Sequence, residues 1–214
     1  MTPLHALVTT GLACTLLAGA AFAETKSFDV SGFSEVTATS GVDVAVEVGG
    51  SYSVTLETNG AIDEALVEVR GARLVLGRES PGGLRINLGR GARFAYTVTM
   101  PDISAAKSMA GADLAITGIS GDSVALDASS GSDLEAEGSC TSLSADASSG
   151  ADIRAFGLAC ANVRADVSSG ADIEVTATGS LRADASSGGT IRVRGNPGDR
   201  NIDKSSGGSV RFYD

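Results

Sequence analysis

The chain has 214 residues, 16 basic and 26 acidic, giving a net charge of -10, with 43% hydrophobic and 4% aromatic side chains. An acidic chain lacks the basic face that phosphate contacts require, so nucleic acid is excluded as a partner. One His, three Cys and no Trp leave little for His-based catalysis or a zinc cluster.

The first element in chain order is an export signal over residues 1–23. Residues 4–23 are apolar and small, and Ala21-Phe22-Ala23 fits the small-x-small rule before a signal peptidase cut. The apolar run from Gly11 to Ala23 is shorter than the ~20 residues that cross a bilayer. Leu12-Ala13-Cys14 offers a lipoprotein-like alternative with Cys14 lipidated, although Gly11 stands where a large aliphatic residue is wanted. Cleavage after Ala23 leaves a mature chain, 24–214, without histidine, because His5 is the only one. That removes His general bases, His-activated nucleophiles and His metal sites. No later stretch reaches spanning length, so the mature chain is expected to lack a transmembrane segment and to be periplasmic, extracellular or at the cell surface.

Residues 24–103 show strands without an evident repeat. Val42 to Val48 and Ser53 to Glu57 alternate, bounded by Gly49-Gly50 and Asn59-Gly60. Ala65 to Arg70 and Ala72 to Leu76 flank Gly71 as a hairpin, and Phe94 to Met100 is a strand stopped by Pro101. Ser80-Pro81-Gly82-Gly83 is the best loop candidate. No long linker follows, so one continuous all-β body over 24–214 is expected.

Residues 104–214 repeat. The signature Asp-Ala-Ser-Ser-Gly-Ala-Asp-Ile recurs, in degrading copies, on Gly131, Gly150, Gly170, Gly188 and Gly207, with a half-copy on Gly111; the spacings are 20, 19, 20, 18 and 19. Three residues after each glycine stand Leu114, Leu134, Ile153, Ile173, Ile191 and Val210. Seven before it stand Val124, Leu143, Val163 and Leu181, with Arg200 breaking the row. Each copy therefore holds two short segments of period-two alternation joined by turn residues. Neither can bury its apolar side alone, but copies stacked in register share a thin interior. The expectation is a parallel β-solenoid or β-helix-like stack with about 19-residue repeats. Interior positions are small and aliphatic, which accounts for the scarcity of rings. Tyr52, Tyr96, Phe156, Phe212 and Tyr213 are scattered; core filling and end capping, Phe212 above all, are the expected roles, with sugar stacking as the alternative. Helix fails because Gly and Ser-Ser recur in every window, and collagen fails because Gly lacks a three-residue period. On the outer face, Glu135, Arg154, Glu174 and Arg192 alternate in sign from copy to copy, a ladder that favours one register.

The order Phe33-Ser34-Glu35-Val36, Ser40-Gly41-Val42-Asp43-Val44-Ala45-Val46, Met100-Pro101-Asp102 and then the Ser-Gly-Ala-Asp repeats resembles the family of putative auto-transporter adhesins with the head GIN domain, a domain of unknown function. The resemblance covers about residues 28 to 212. It implies an exported, all-β, solenoid-like protein and brings no catalytic or ligand-binding residues with it.

The sharpest chemical feature is a set of carboxylates. Asp127, Asp146, Asp166, Asp184 and Asp203 precede the turn, and Asp113, Asp133, Asp152 and Asp172 follow the glycine. Stacking puts them in two columns of like charge about 5 Å apart, where they repel unless compensated. Calcium would compensate, with Asp127, Asp146, Asp166, Asp133, Asp152 and Asp172 as candidate ligands. The spacing differs from the calcium β-roll nonapeptide, and the competing reading is that each Asp bonds its own turn, with Arg164 and Arg182 nearby. The paired serines, Ser148-Ser149 and their equivalents, have no base to activate them and are read as turn-satisfying hydroxyls. Cys140 and Cys160 sit at nearly the same place in adjacent copies, which predicts a disulfide across stacked coils. The regular outer chemistry without a catalytic constellation implies a non-enzymatic module for cell-envelope adhesion, scaffolding or surface binding. Its partner would be a glycan or a protein. A calcium-stabilised binding module and a carbohydrate-active enzyme on a β-helix are the alternatives.

Overall fold

The computed structural model describes residues 24–79 and 92–213. The export signal, Cys14 and the Ser80-Pro81-Gly82-Gly83 loop lie outside the described residues. In the first half run β1 (Glu24–Phe28), β2 (Glu35–Ala38), β3 (Asp43–Val48), β4 (Ser53–Thr58), β5 (Ala65–Arg70), β6 (Arg73–Arg78) and β7 (Phe94–Met100), with one 3-10 turn at Ile62–Glu64. Then come β8 (Ala105–Met109), β9 (Asp113–Ser129), β10 (Asp133–Ser148), β11 (Asp152–Val167), β12 (Asp172–Ala185), β13 (Thr190–Arg194), β14 (Asp199–Lys204) and β15 (Ser209–Tyr213). Stacked parallel strands make a β-solenoid of about five turns with about 20-residue spacing.

Copies of the repeat lie directly on one another. Leu134 pairs with Leu114 below and Ile153 above, and Ile153 pairs with Ile173. All four are buried. Each of β9 to β12 is one continuous strand with three straight sides rather than the two expected segments. In β11 the buried residues are Ile153, Ala155, then Leu158, Cys160, then Val163, Ala165, Val167. Alternation holds within each side and slips by one residue at each corner, where the register also shifts. Those slips break the period-two signal and hide the short middle side from sequence reading.

The corners and turns set the glycine requirement. Gly138 turns the corner at φ +138, and a Cβ there would fall on the main chain of Ile119 in the coil below. At the tight turn, Ser130 and Gly131 have φ of 60 and 67, the two left-handed positions of a type I′ turn. The same pair recurs in every coil. Its N–H groups are satisfied through the stack: Gly131 N–H donates to the Ser149 carbonyl at 3.1 Å, and Gly150 N–H to Ser169 at 3.2 Å.

The first half joins the same stack. Ser40 and Gly41 form the left-handed pair at φ 63 and 68. Val36 of β2 pairs with Ala106 of β8, and Val44 of β3 pairs with Leu114 of β9. The coil β2–β3 thus lies between β8–β9 on one side and β6 and β7 on the other. Outside these, β4 pairs antiparallel with β7, β1 with β4, and β5 with β6 in the expected hairpin around Gly71. Here the interior is wide enough for rings. Phe33, Phe94 and Tyr96 are fully buried, while the repeat coils are filled by Leu, Ile, Val and Ala. The Tyr96 hydroxyl donates to the Gly77 carbonyl at 2.7 Å, and burial pushes its pKa up to about 12.

Candidate functional site

The three sides of each coil present their alternate residues to solvent, so stacking turns sequence positions into columns ~4.8 Å apart. The side before the turn carries three. Ser142, Asn162 and Ser180 are in register; so are Ser144, Arg164 and Arg182. Next to them runs Lys107, Asp127, Asp146, Asp166, Asp184 and Asp203. A groove of about 500 Å³ follows this last column, walled by the aspartates and by Ser148, Ser168, Ser186 and Ser205. After the turn stands the second aspartate column, Asp43, Asp113, Asp133, Asp152 and Asp172. Both expected columns form, and each begins one coil earlier than the repeat alone indicates, at Lys107 and Asp43. The signal for Asp43 was in Ser40-Gly41-Val42-Asp43-Val44, which copies the repeat signature but stands 70 residues ahead of Gly111.

Arginines answer the like-charge problem. Arg164 reaches Asp166 at 2.8 Å, Arg182 reaches Asp184 at 3.2 Å, and Lys107 reaches Asp127 at 2.9 Å. Arg154 bridges two coils, 3.1 Å from Asp133 and 2.9 Å from Asp152. Arg192 lies 3.3 Å from Asp172 and 3.6 Å from Glu174. The alternating ladder of Glu135, Arg154, Glu174 and Arg192 is in register, but Arg154 turns into the aspartate column. The aspartates bond these side chains rather than their own turns, because turn N–H groups are already taken by main-chain carbonyls: Gly131 and Gly150 donate to the next coil, and Ala151 and Ala171 to Ser148 and Ser168 of their own turns. For the same reason the paired serine hydroxyls do not serve as turn acceptors. They line the groove or stand exposed.

Compensation is incomplete where columns are densest. Asp113, Asp152 and Asp166 are pushed above the ordinary aspartate value, first by burial. Neighbouring carboxylates raise them further: Asp133 and Asp43 at Asp113, Asp133 and Asp172 at Asp152, Asp146 and Asp184 at Asp166. Arg154 and Arg164 pull the other way. The cause is one repeated geometry, not a single irregular pair. Among the described residues, no group of three or more His, Cys, Asp or Glu converges as a metal-ligand set. The candidates Asp127, Asp146, Asp166, Asp133, Asp152 and Asp172 stand one per coil in each column.

The disulfide is present. Cys140 and Cys160 are paired across β10 and β11 with Cα atoms 4.6 Å apart, on the short middle side of the coil. Of the aromatic residues, Tyr52 packs on Phe33 with centroids 4.8 Å apart, and Phe156 lies under the Arg194 guanidinium at 4.2 Å. No helix among the described residues is long and apolar enough to cross a membrane.

The family described as "Putative auto-transporter adhesin, head GIN domain" matches residues 32–197. The chain belongs to this family. Solved structures share its fold. A putative adhesin from Bacteroides fragilis NCTC 9343 superimposes with a TM-score of 0.69 at 18% identity, over 89% of this chain and 97% of that one. A putative adhesin from Parabacteroides distasonis ATCC 8503 gives 0.53 at 20% identity, over 89% and 97%. A putative lipid binding protein from the same strain gives 0.50 at 15% identity, over 90% and 97%. No curated protein matches the chain.

Proposed function

We propose that this family member is exported, with the signal cleaved after Ala23, and acts without catalysis as a cell-envelope binding module. Its working surface is the side of the solenoid that carries the Ser/Asn, Arg and Asp columns beside the groove. A partner with its own repeat, a glycan or an extended protein, can meet the same donors and acceptors in each coil. The observation that supports this reading is the strict register of outward side chains over successive coils, Asp127 through Asp203. The adhesin description of the family points the same way. Repetition also speaks against an enzyme, since a catalytic site is one constellation with carboxylates in distinct environments.

The test is binding of the protein to immobilised glycans and envelope proteins, alongside the triple variant Asp146→Asn, Asp166→Asn, Asp184→Asn. The expected result is a retained ligand for the wild type and at least a tenfold weaker one for the variant. Failure of the wild type to bind any of the panel overturns the proposal.

A further inference from the structure

The charge of this molecule is segregated along its axis. From Arg70 to Arg192, every described Arg and Lys lies within ion-pair distance of a carboxylate. The four that follow contact none among the described residues. Arg194 stacks on Phe156, and Arg200 stacks on Phe212 at 4.4 Å while bonding the Pro197 carbonyl and Asn196 Oδ1. Arg211 donates to the Ser209 hydroxyl, and Lys204 is exposed. Residues 190–214 hold five cations against Asp199, Asp203 and Asp214, in a chain whose net charge is -10. The opposite end is acidic in balance, although Lys26 on β1 is also outside ion-pair distance of a carboxylate among the described residues and lies 5.0 Å from the Phe28 ring centroid. Glu24, Asp29, Glu57 and Asp63 are exposed there without a cation at ion-pair distance among the described residues.

The same two ends are where the sheets stop. Among the described residues, β15 pairs only with β13 and β14 only with β12; at the far end β1 pairs only with β4 and β5 only with β6. Among the described residues, each of these four strands leaves one row of backbone N–H and C=O groups without a strand partner. The strand order makes β1 and β15 the two ends of one side of the stack, and β5 and β14 the two ends of another. The interior is incompletely covered at both: Ile202 and Val210 are half-buried at the cationic end, Val67 and Val69 at the acidic end.

We infer that the solenoid associates head to tail, the cationic last coil of one copy docking on the acidic first layer of a second copy. In this arrangement β15 meets the next copy's β1 and β14 meets its β5, so open edges face open edges and unneutralised cations face unneutralised carboxylates. The contact is heterologous, because the two surfaces differ. Repetition therefore builds an open filament rather than a closed dimer. Each molecule adds its coils to one long axis, which multiplies the columned face beyond what a single chain offers. The inference stands on the two ends and is independent of what that face binds.

A charge-swap experiment tests it by sedimentation over a wide concentration range. One variant carries Lys204→Glu and Arg211→Glu; the other carries Asp29→Lys and Asp63→Lys. All four positions are exposed and make no ion pair among the described residues, so folding is checked simply by circular dichroism and melting. The wild type is expected to show a weight-average mass that climbs with concentration. Each variant alone is expected to stay monomeric, and an equimolar mixture to recover the association. A wild type that remains monomeric throughout overturns the inference, as does a mixture that fails to recover. Binding of a monomeric wild type to anionic vesicles would also overturn it, by giving the cationic end a different occupant.

Discussion

In β10 and β11 each coil meets its immediate neighbours in the chain, about 20 residues away. The coil β2–β3 meets β8–β9 instead, with Val36 opposite Ala106. Both use the same left-handed turn and the same column of Asp. They differ in what closes them and what fills them. Bringing together segments some 70 residues apart rather than 20 costs only about 1 kcal/mol more loop-closure entropy, since the cost grows with the logarithm of length. One buried ring offsets that, at roughly 1.5–3 kcal/mol. The first half buries three, Phe33, Phe94 and Tyr96. Repetition specifies register cheaply with small aliphatic residues; a coil assembled out of chain order relies on bulk.

That difference can be broken by mutation. The largest effect is expected from Tyr96→Ala, about 3–5 kcal/mol in urea unfolding, because it empties a ring-sized space and removes the bond to Gly77. A loss below ~1 kcal/mol would show that rings do not hold the first half. In the repeat half, Gly138→Ala is expected to cost on the order of 3 kcal/mol, from a Cβ driven onto Ile119 and a left-handed φ. Hydrogen exchange should place the resulting opening in β9 and β10, leaving β1 and β5 protected. Reducing the Cys140–Cys160 bond, which closes a separation of 20 residues, should cost about 3 kcal/mol. An unchanged midpoint with dithiothreitol would show that stacking alone fixes adjacent coils.

Smaller effects sharpen the electrostatic side. Asp113, Asp152 and Asp166 bind their protons more tightly folded than unfolded. The folded state is therefore penalised as pH rises through their raised values and relieved as pH falls toward the ordinary aspartate value. Stability should be slightly greater at mildly acid pH than at pH 7, by about 1 kcal/mol or less for groups this exposed. Asp166→Asn should remove part of that difference; a variant with an unaltered pH profile contradicts the column argument. The smallest effect concerns calcium. Because arginines already contact the columns, a chelator is expected to leave the melting midpoint unchanged, and a clear drop would make the aspartates metal ligands.

Much of this was legible in the sequence because a repeat turns one dimension into three. Once Gly131, Gly150 and Gly170 are aligned, the interior row, the two aspartate columns and the pairing of Cys140 with Cys160 follow from stacking alone. Three features escaped for physical reasons. The short side bearing Leu158 and Cys160 sits between two phase slips that interrupt alternation. The turn at Ser40-Gly41 carries the signature, but its partner coil is far along the chain. The interior that admits Phe33, Phe94 and Tyr96 lies where antiparallel β4 joins β7 outside the repeat, an arrangement that no repeat spacing encodes. The ends were half legible: Arg200 broke the interior row in the sequence, but its seat over Phe212 needed coordinates.

The stack itself is tested most directly by methyl NOEs in protein labelled at Leu, Ile and Val. An unbroken ladder of contacts, Leu114 to Leu134 to Ile153 to Ile173 to Ile191, is the result required by the register. Methyls at Leu134 and Ile153 that show no mutual contact, or that are broadened by a soluble paramagnetic probe as exposed methyls are, would contradict it.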